Sequence, residues 1–128
     1  MSEPKWLTLQ MIIAIHDEQL AIHGGSPGLR DSGLLESALD RPRSKWAYES
    51  VELPELAAAY GYDTALNHPF VDGNKRTSLL AMYTSLGING VDFVVPEAEV
   101  AAMILSLAAG EVSEENLARW IRDNWPKP

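Results

Sequence analysis

From Pro54 to Leu66 the chain offers little polar face: Leu56, Ala57, Ala58, Ala59, Tyr60, Ala65 and Leu66 crowd one short segment. A helix that is apolar nearly all round is stable only where neighbours cover it. This segment therefore dictates a central, buried helix, opened by Pro54 in its first turn, and the rest of the chain must supply the cover.

The rest of the chain reads as further helices. Leu9, Ile12, Ile13, His16 and Leu20 repeat at helical spacing over about Leu7 to Ile22, and Gly24-Gly25-Ser26-Pro27-Gly28 breaks the chain after them. Asp31 is placed to cap a second helix with a Leu34, Leu35, Ala38, Leu39 face, which Pro42 is expected to end. A helix after Asp72-Gly73 packs through Leu79, Met82, Tyr83 and Leu86. Asn89-Gly90 marks a turn, and residues 91–95 read as briefly extended. Pro96 opens a fifth helix with a Val100, Met103, Ile104, Leu107 stripe, stopped by Gly110. Ser113 caps a sixth, buried through Leu117, Trp120 and Ile121. Its Glu114 and Glu115 lie in the first turn and Arg119 and Arg122 towards the end, which suits the helix dipole. The expected fold is all-α: a compact single domain over residues 1–128, about six helices, with a polar loop between two central helices and a loose tail at Pro126-Lys127-Pro128.

At 128 residues the chain is one domain by length and large enough to bury a stable core without staples. Cys is absent, which excludes disulfides and thiolate metal sites and fits a reducing compartment. The start, from Met1 to Trp6, has no long apolar stretch, and the longest apolar run, Val100 to Ala109, is too short to span a bilayer. A cytoplasmic protein without membrane contact is expected. The net charge of −8 argues against direct nucleic-acid binding. Cations are nonetheless clustered, at Arg41, Arg43 and Lys45 and again at Lys75 and Arg76, and no acidic residue occurs from Gly73 through Val91. An acidic protein with a local cationic site suits a small anionic ligand.

The segment Asn67-His68-Pro69-Phe70-Val71-Asp72-Gly73-Asn74-Lys75-Arg76-Thr77 gathers an imidazole, a carboxylate, a tight turn and two cations between apolar helices. Gly73-Asn74 at a helix start leaves main-chain N–H groups free for an anion. Lys75 adds a point charge and Arg76 a bidentate fork, both suited to phosphate oxygens. Asp72 is a hard oxygen ligand that can hold Mg²⁺ together with substrate phosphates. His68 has the pKa range of a general base acting on a hydroxyl. The segment lacks the earlier glycine and the Gly-Lys-Ser/Thr order of a P-loop.

These residues match every place of the Fic/Doc family signature His-x-Phe-x-Asp/Glu-Gly/Ala-Asn-Gly/Lys-Arg, which the chain resembles. The adenylyl-transferring Fic branch carries Gly after the Asn and a second Arg three places beyond the first; this chain has Lys75 and Leu79 there, and so looks like the Doc (death-on-curing) branch of toxin–antitoxin systems. The stretches from His23 to Asp31 and Gly33 to Leu39 and from Ala109 to Ser113 also resemble Doc sequences, so the likeness covers nearly the whole chain. The resemblance implies transfer of a phosphoryl group from an NTP such as ATP, with Mg²⁺, to a hydroxyl of a target protein. His68 would be the catalytic base, Asp72 the metal-associated carboxylate, and Gly73, Asn74, Lys75 and Arg76 the phosphate cradle. It further implies elongation factor Tu as target, arrest of translation and growth, and a small antitoxin over the site. One departure is Leu80, where Doc sequences often carry Asn. Ser32 to Ser37 matches all but the last place of the inhibitory helix of Fic proteins and reads as coincidence, so inhibition is expected from another chain.

Other readings of the same residues compete. His16 on an apolar stripe reads as a core histidine with a hydrogen-bond partner, His23 as a cap of the first helix end, and Phe70 as an anchor of the loop. Arg41, Arg43 and Lys45 read most simply as a solvated loop, although Trp46 and Tyr48 beside Arg43 and Lys45 make a docking surface for the target an even alternative. Among functions, Fic-type AMP transfer would use the same residues on a reversed nucleotide. A metal-dependent ribonuclease would need more acidic residues than the motif offers, and a non-enzymatic binding module would not need the intact motif.

Overall fold

The computed structural model describes residues 2–127, so Met1 and Pro128 lie outside the account. Six helices follow in order: α1 (Leu9–His23), α2 (Ser32–Glu49), α3 (Leu53–Asn67), α4 (Asn74–Ile88), α5 (Glu97–Ala108) and α6 (Glu114–Asp123). The described residues form no strand. The one β-type pairing among them is an isolated antiparallel bridge between Leu29 and Phe70.

The apolar segment takes the centre. Helix α3 packs on α2, α4, α5 and α6, and α1 rests on α4. Ala57, Ala58, Ala59 and Ala65 are wholly buried, and these small residues let neighbouring backbones come close. Helices α3 and α4 cross closely at Gly61, where a Cβ would lie 2.5 Å from the Met82 sulfur and whose carbonyl accepts from the Ser78 hydroxyl at 2.6 Å. This crossing seats α3 against α4 just below the loop that joins them. One core joins α3 to α4, α5 and α6 through Met82, Leu86, Ile104, Leu107, Leu117 and Ile121. A second joins Leu7, Ile12, Leu35, Leu39, Tyr60, Phe70 and Ala81.

The capping expectations hold where a short polar side chain was involved. Asp31 accepts from Leu34 N–H at 3.0 Å and Ser113 from Asn116 N–H at 3.1 Å. Residues 91–95 alternate in exposure, with Phe93 and Val95 buried and Val94 out, as an extended segment should. Two expectations fail. The first helix begins at Leu9, capped by Thr8; Leu9 is exposed, and Leu7, just outside the helix, takes the core place with its N–H on the Tyr60 hydroxyl at 3.1 Å.

The other failure is Pro42. Helix α2 runs straight past it to Glu49, although a proline inside a helix removes one hydrogen bond and crowds the preceding turn. The turns beyond Pro42 are held by tertiary contacts that outweigh this. Lys45 meets Glu114 at 3.3 Å, and the Trp46 ring stands edge-on to Trp6 at 6.2 Å. Arg41, Arg43 and Lys45 are therefore helical, not on a loop.

Candidate functional site

The polar segment fills the turn between α3 and α4. His68 caps α3 in the left-handed region, at φ 48° and ψ 61°, a conformation uncommon outside glycine but one in which His is enriched. Its side chain is exposed. Phe70 is buried at 2 % exposure and stacks on the His16 ring, with centroids 3.8 Å apart and planes within 10°. The Asn74 amide accepts from Phe70 N–H and donates to Phe70 C=O, both at 3.0 Å, closing the turn like a clasp.

Asp72 points back across the Gly-rich loop. Its carboxylate accepts from Ser26 N–H at 3.2 Å and from Gly73 N–H at 2.8 Å. These two bonds, the Ser26 one foremost, hold its carboxyl below the usual carboxylate range. Asp72 is thus ionised through the neutral and mildly acidic range. The contribution of these bonds is complete above the unfolded value of about 3.9 and fades as pH falls from there through the lowered folded value. The Asp72 carbonyl lies 2.8 Å from His16 Nε2, so His16, buried at 2 %, does have the partner expected of a core histidine.

Gly73 is the N-cap of α4 at φ 77°. Thr77 N–H is the first to bond back, to Gly73 C=O at 3.0 Å. The N–H groups of Asn74, Lys75 and Arg76 precede it and have no place in the helical ladder, which leaves them for an anion at the positive end of the helix dipole. Since the Asn74 amide is engaged with Phe70, its main-chain N–H is what it offers a ligand. The Lys75 and Arg76 side chains are exposed.

His68, Phe70, Asp72, Gly73, Asn74, Lys75 and Arg76 line one cleft of about 880 Å³. Arg30 and Val71 line it too, and Ala101, Ile104, Leu105 and Ala108 of α5 complete its wall. The structure thus brings together His68, Asp72, Gly73, Asn74, Lys75 and Arg76. Arg43, Lys45, Trp46 and Tyr48 lie elsewhere, on α2. There Arg43 stands over the Trp6 ring at 5.5 Å, Lys45 is paired to Glu49 and Glu114 at 3.4 and 3.3 Å, and Tyr48 is 87 % exposed. Sequence reasoning missed Arg30 and the α5 wall. Arg30 had no local signal, whereas the small Ala101 and Ala108 beside the core stripe of α5 were a faint one.

Gly25 has a role that its sequence context hid. It sits at φ 126°, and a Cβ there would fall 2.9 Å from Asp72 Oδ2. Gly25→Ala is expected to cost about 1–3 kcal/mol in backbone strain and to push the Asp72 carboxylate off its N–H donors. Urea unfolding of the variant would show a midpoint lowered accordingly, and an unchanged midpoint would contradict it.

The fold and site define a class: small helical proteins that present a histidine, a carboxylate and a helix start with N–H groups outside the ladder on one loop between two packed helices. The chain belongs to the Fic/Doc family, whose family model matches residues 6–86, from before α1 to the last turn of α4. It is 38% identical over 112 residues to "Protein kinase doc" of Escherichia phage P1, a match spanning 87% of this chain and 88% of that protein. It is 46% identical over 83 residues to "Toxin Doc" of Mycolicibacterium smegmatis, across 59% of this chain and 63% of that protein.

Proposed function

We propose that this protein is the toxin of a toxin–antitoxin pair and transfers the γ-phosphoryl group of an NTP to a hydroxyl of a target protein. The observation that carries the reading is the single cleft in which an exposed imidazole, a charged carboxylate and the free N–H groups of a helix start converge. The names of the relatives, a protein kinase and a toxin, support it. In this reading His68 takes the proton of the attacking hydroxyl. The hydroxyl oxygen bonds to the γ-phosphorus, the bond to the β-phosphate oxygen breaks, and the nucleoside diphosphate leaves. The N–H groups of Asn74, Lys75 and Arg76 and the two cationic side chains bind the phosphates.

The donor set fits Mg²⁺ held jointly with substrate. Asp72 is the carboxylate lining the cleft, and each of its oxygens accepts one N–H bond among the described residues, so lone pairs remain. Among the described residues no group of three acidic, His or Cys side chains stands ready to enclose an ion. Phosphate oxygens would supply the other ligands, and the ion would screen their charge. The same lack of converging carboxylates weighs against a two-metal nuclease. Asp72→Asn is expected to slow transfer and raise the Mg²⁺ concentration needed for half-maximal rate; an unchanged Mg²⁺ titration would remove Asp72 from that role.

Lys75 decides the orientation of the nucleotide in this reading. Where adenylyl-transferring relatives have Gly, a lysine puts bulk and charge where the α- and β-phosphates would otherwise lie, which favours presenting the γ-phosphoryl group. Incubation with elongation factor Tu and ATP labelled at either the α- or the γ-phosphate tests the proposal. γ-label on the target is the expected result, and α-label with the wild-type protein would establish AMP transfer instead. Lys75→Gly is expected to lower γ-transfer by about 10-fold or more, as loss of a charge-assisted bond of ~1.5–3 kcal/mol implies.

The location and the partner follow the same reading. Among the described residues no helix is long and apolar enough to cross a membrane. A small antitoxin protein laying a helix into the cleft would close it, and the target would belong to the translation machinery.

A further inference from the structure

Three successive carbonyls at the start of the loop accept from Arg30, and the third of them accepts from Asp31 N–H as well, at 3.0 Å. Arg30 Nη2 donates to Asn67 C=O at 2.5 Å, Arg30 Nε donates to His68 C=O at 2.6 Å, and Arg30 main-chain N–H donates to Pro69 C=O at 2.8 Å. Arg30 is separated from them by more than thirty-five places in the chain. It comes from the loop after α1 that also forms the bridge to Phe70 and bonds Val71 N–H through Gly28 C=O at 3.0 Å.

The residue at the centre of this grip is His68, in a left-handed conformation at φ 48°. Such a conformation persists in a non-glycine residue only where the surroundings over-determine it. The last carbonyls of a helix are also without ladder partners, so without Arg30 those of Asn67 and His68 would turn to water and the cap would loosen. A planar guanidinium with donors in a fixed fork can hold two neighbouring carbonyls at once. With the main chain of Asn67, His68 and Pro69 pinned, the Cα–Cβ direction of His68 is set and only side-chain rotation remains to aim the imidazole.

We propose that Arg30 is a positioning residue for His68: it holds the main chain under the general base in the one conformation that points the imidazole into the cleft. The inference rests on the reading of His68 as base. The tools are Arg30→Ala and Arg30→Lys, in the wild-type and His68→Ala backgrounds, assayed with ATP and elongation factor Tu. Misplacement of a catalytic group by about 1 Å can cost 10²-fold. Arg30→Ala is therefore expected to lower kcat by about 10- to 100-fold with KM for ATP little changed. Arg30→Lys should recover only part, because an ammonium cannot fork, and added guanidinium should restore part of the rate of Arg30→Ala.

Groups that act as a unit are non-additive, so Arg30→Ala should cause no further loss when His68 is already Ala. Equal losses in both backgrounds, or a raised KM with unchanged kcat, would overturn the inference, since Arg30 would then act on the phosphates or on the fold. A second measurement needs no turnover. In the NMR spectrum of Arg30→Ala the His68 amide and ring signals should shift and broaden, while those of His16 stay in place. Unmoved His68 signals would also overturn it. If the wild-type protein transfers nothing, the reading of the reaction fails, and the NMR comparison still decides whether Arg30 holds His68.

Discussion

Replacing His68 with Ala is expected to lower phosphoryl transfer by about 10²–10⁴-fold, the usual worth of a general base, while the protein keeps its fold. The two halves of this expectation have separate grounds. The first is chemical: an imidazole is the side chain whose unperturbed pKa lies nearest neutral pH, and this one lines the cleft beside the helix start proposed to receive the phosphates. The second is structural. The loop is held by the carbonyls of Asn67, His68 and Pro69, by Phe70 in the core, and by the clasp of Asn74. The His68 side chain is exposed and takes part in none of these bonds. Circular dichroism and thermal melts of the variant should therefore resemble the wild type while label transfer collapses. Expression of the wild-type protein without an antitoxin should arrest growth, and expression of the variant should not. Near-wild-type transfer by His68→Ala would take the base role away from it.

Arg41→Ala is expected to destabilise the fold strongly, by about 3–5 kcal/mol, against a total of about 5–15 kcal/mol for a domain. Arg41 leaves α2 and reaches two helices at once, pairing with Asp63 of α3 and, at 2.5 Å, with Glu114 of α6. The Asp63 side chain is 5 % exposed, and its Oδ2 is buried without a hydrogen-bond partner among the described residues. Removing the guanidinium would strand that carboxylate in the core.

The pH dependence has a definite sign. Burial pushes the Asp63 carboxyl up, and the charge of Arg41 opposes this. A raised folded value means that the native state binds the proton more tightly, so the associated stability is present below the unfolded value of about 3.9 and is lost as pH rises through the folded one. Without Arg41 the folded value rises further and the window widens. Urea unfolding should then show a larger deficit for Arg41→Ala at pH 7 than at pH 5, and Asp63→Asn in the same background should recover part of it. A deficit below about 1 kcal/mol at pH 7 would show that Asp63 finds water or another partner.

What was legible beforehand, and what was not, follows the range of the interactions. The chain by itself determined the six helices, their caps at Asp31 and Ser113, the central place of α3 and the polar loop at its end. Each is written in neighbouring residues: a period of 3.6, a short polar side chain before a helix, an apolar run with nowhere to face water, a dense cluster of chemistry between two helices. The grouping of His68, Asp72, Gly73, Asn74, Lys75 and Arg76 was legible for the same reason, being one contiguous turn.

Only the tertiary structure decided the rest. Pro42 reads locally as a stop, yet contacts of Lys45 and Trp46 with distant residues carry α2 beyond it. Arg41 reads as a surface cation, and its partners lie 22 and 73 places away. Arg30 reads as an unremarked residue of a Gly-rich loop, and it holds carbonyls 37 and 38 places on. The α5 wall of the cleft depends on how α5 lies beside the loop. Pairings between distant residues leave no period or composition behind them. They arise when packed helices bring two surfaces together, and a side chain's role is then set by what the fold places opposite it.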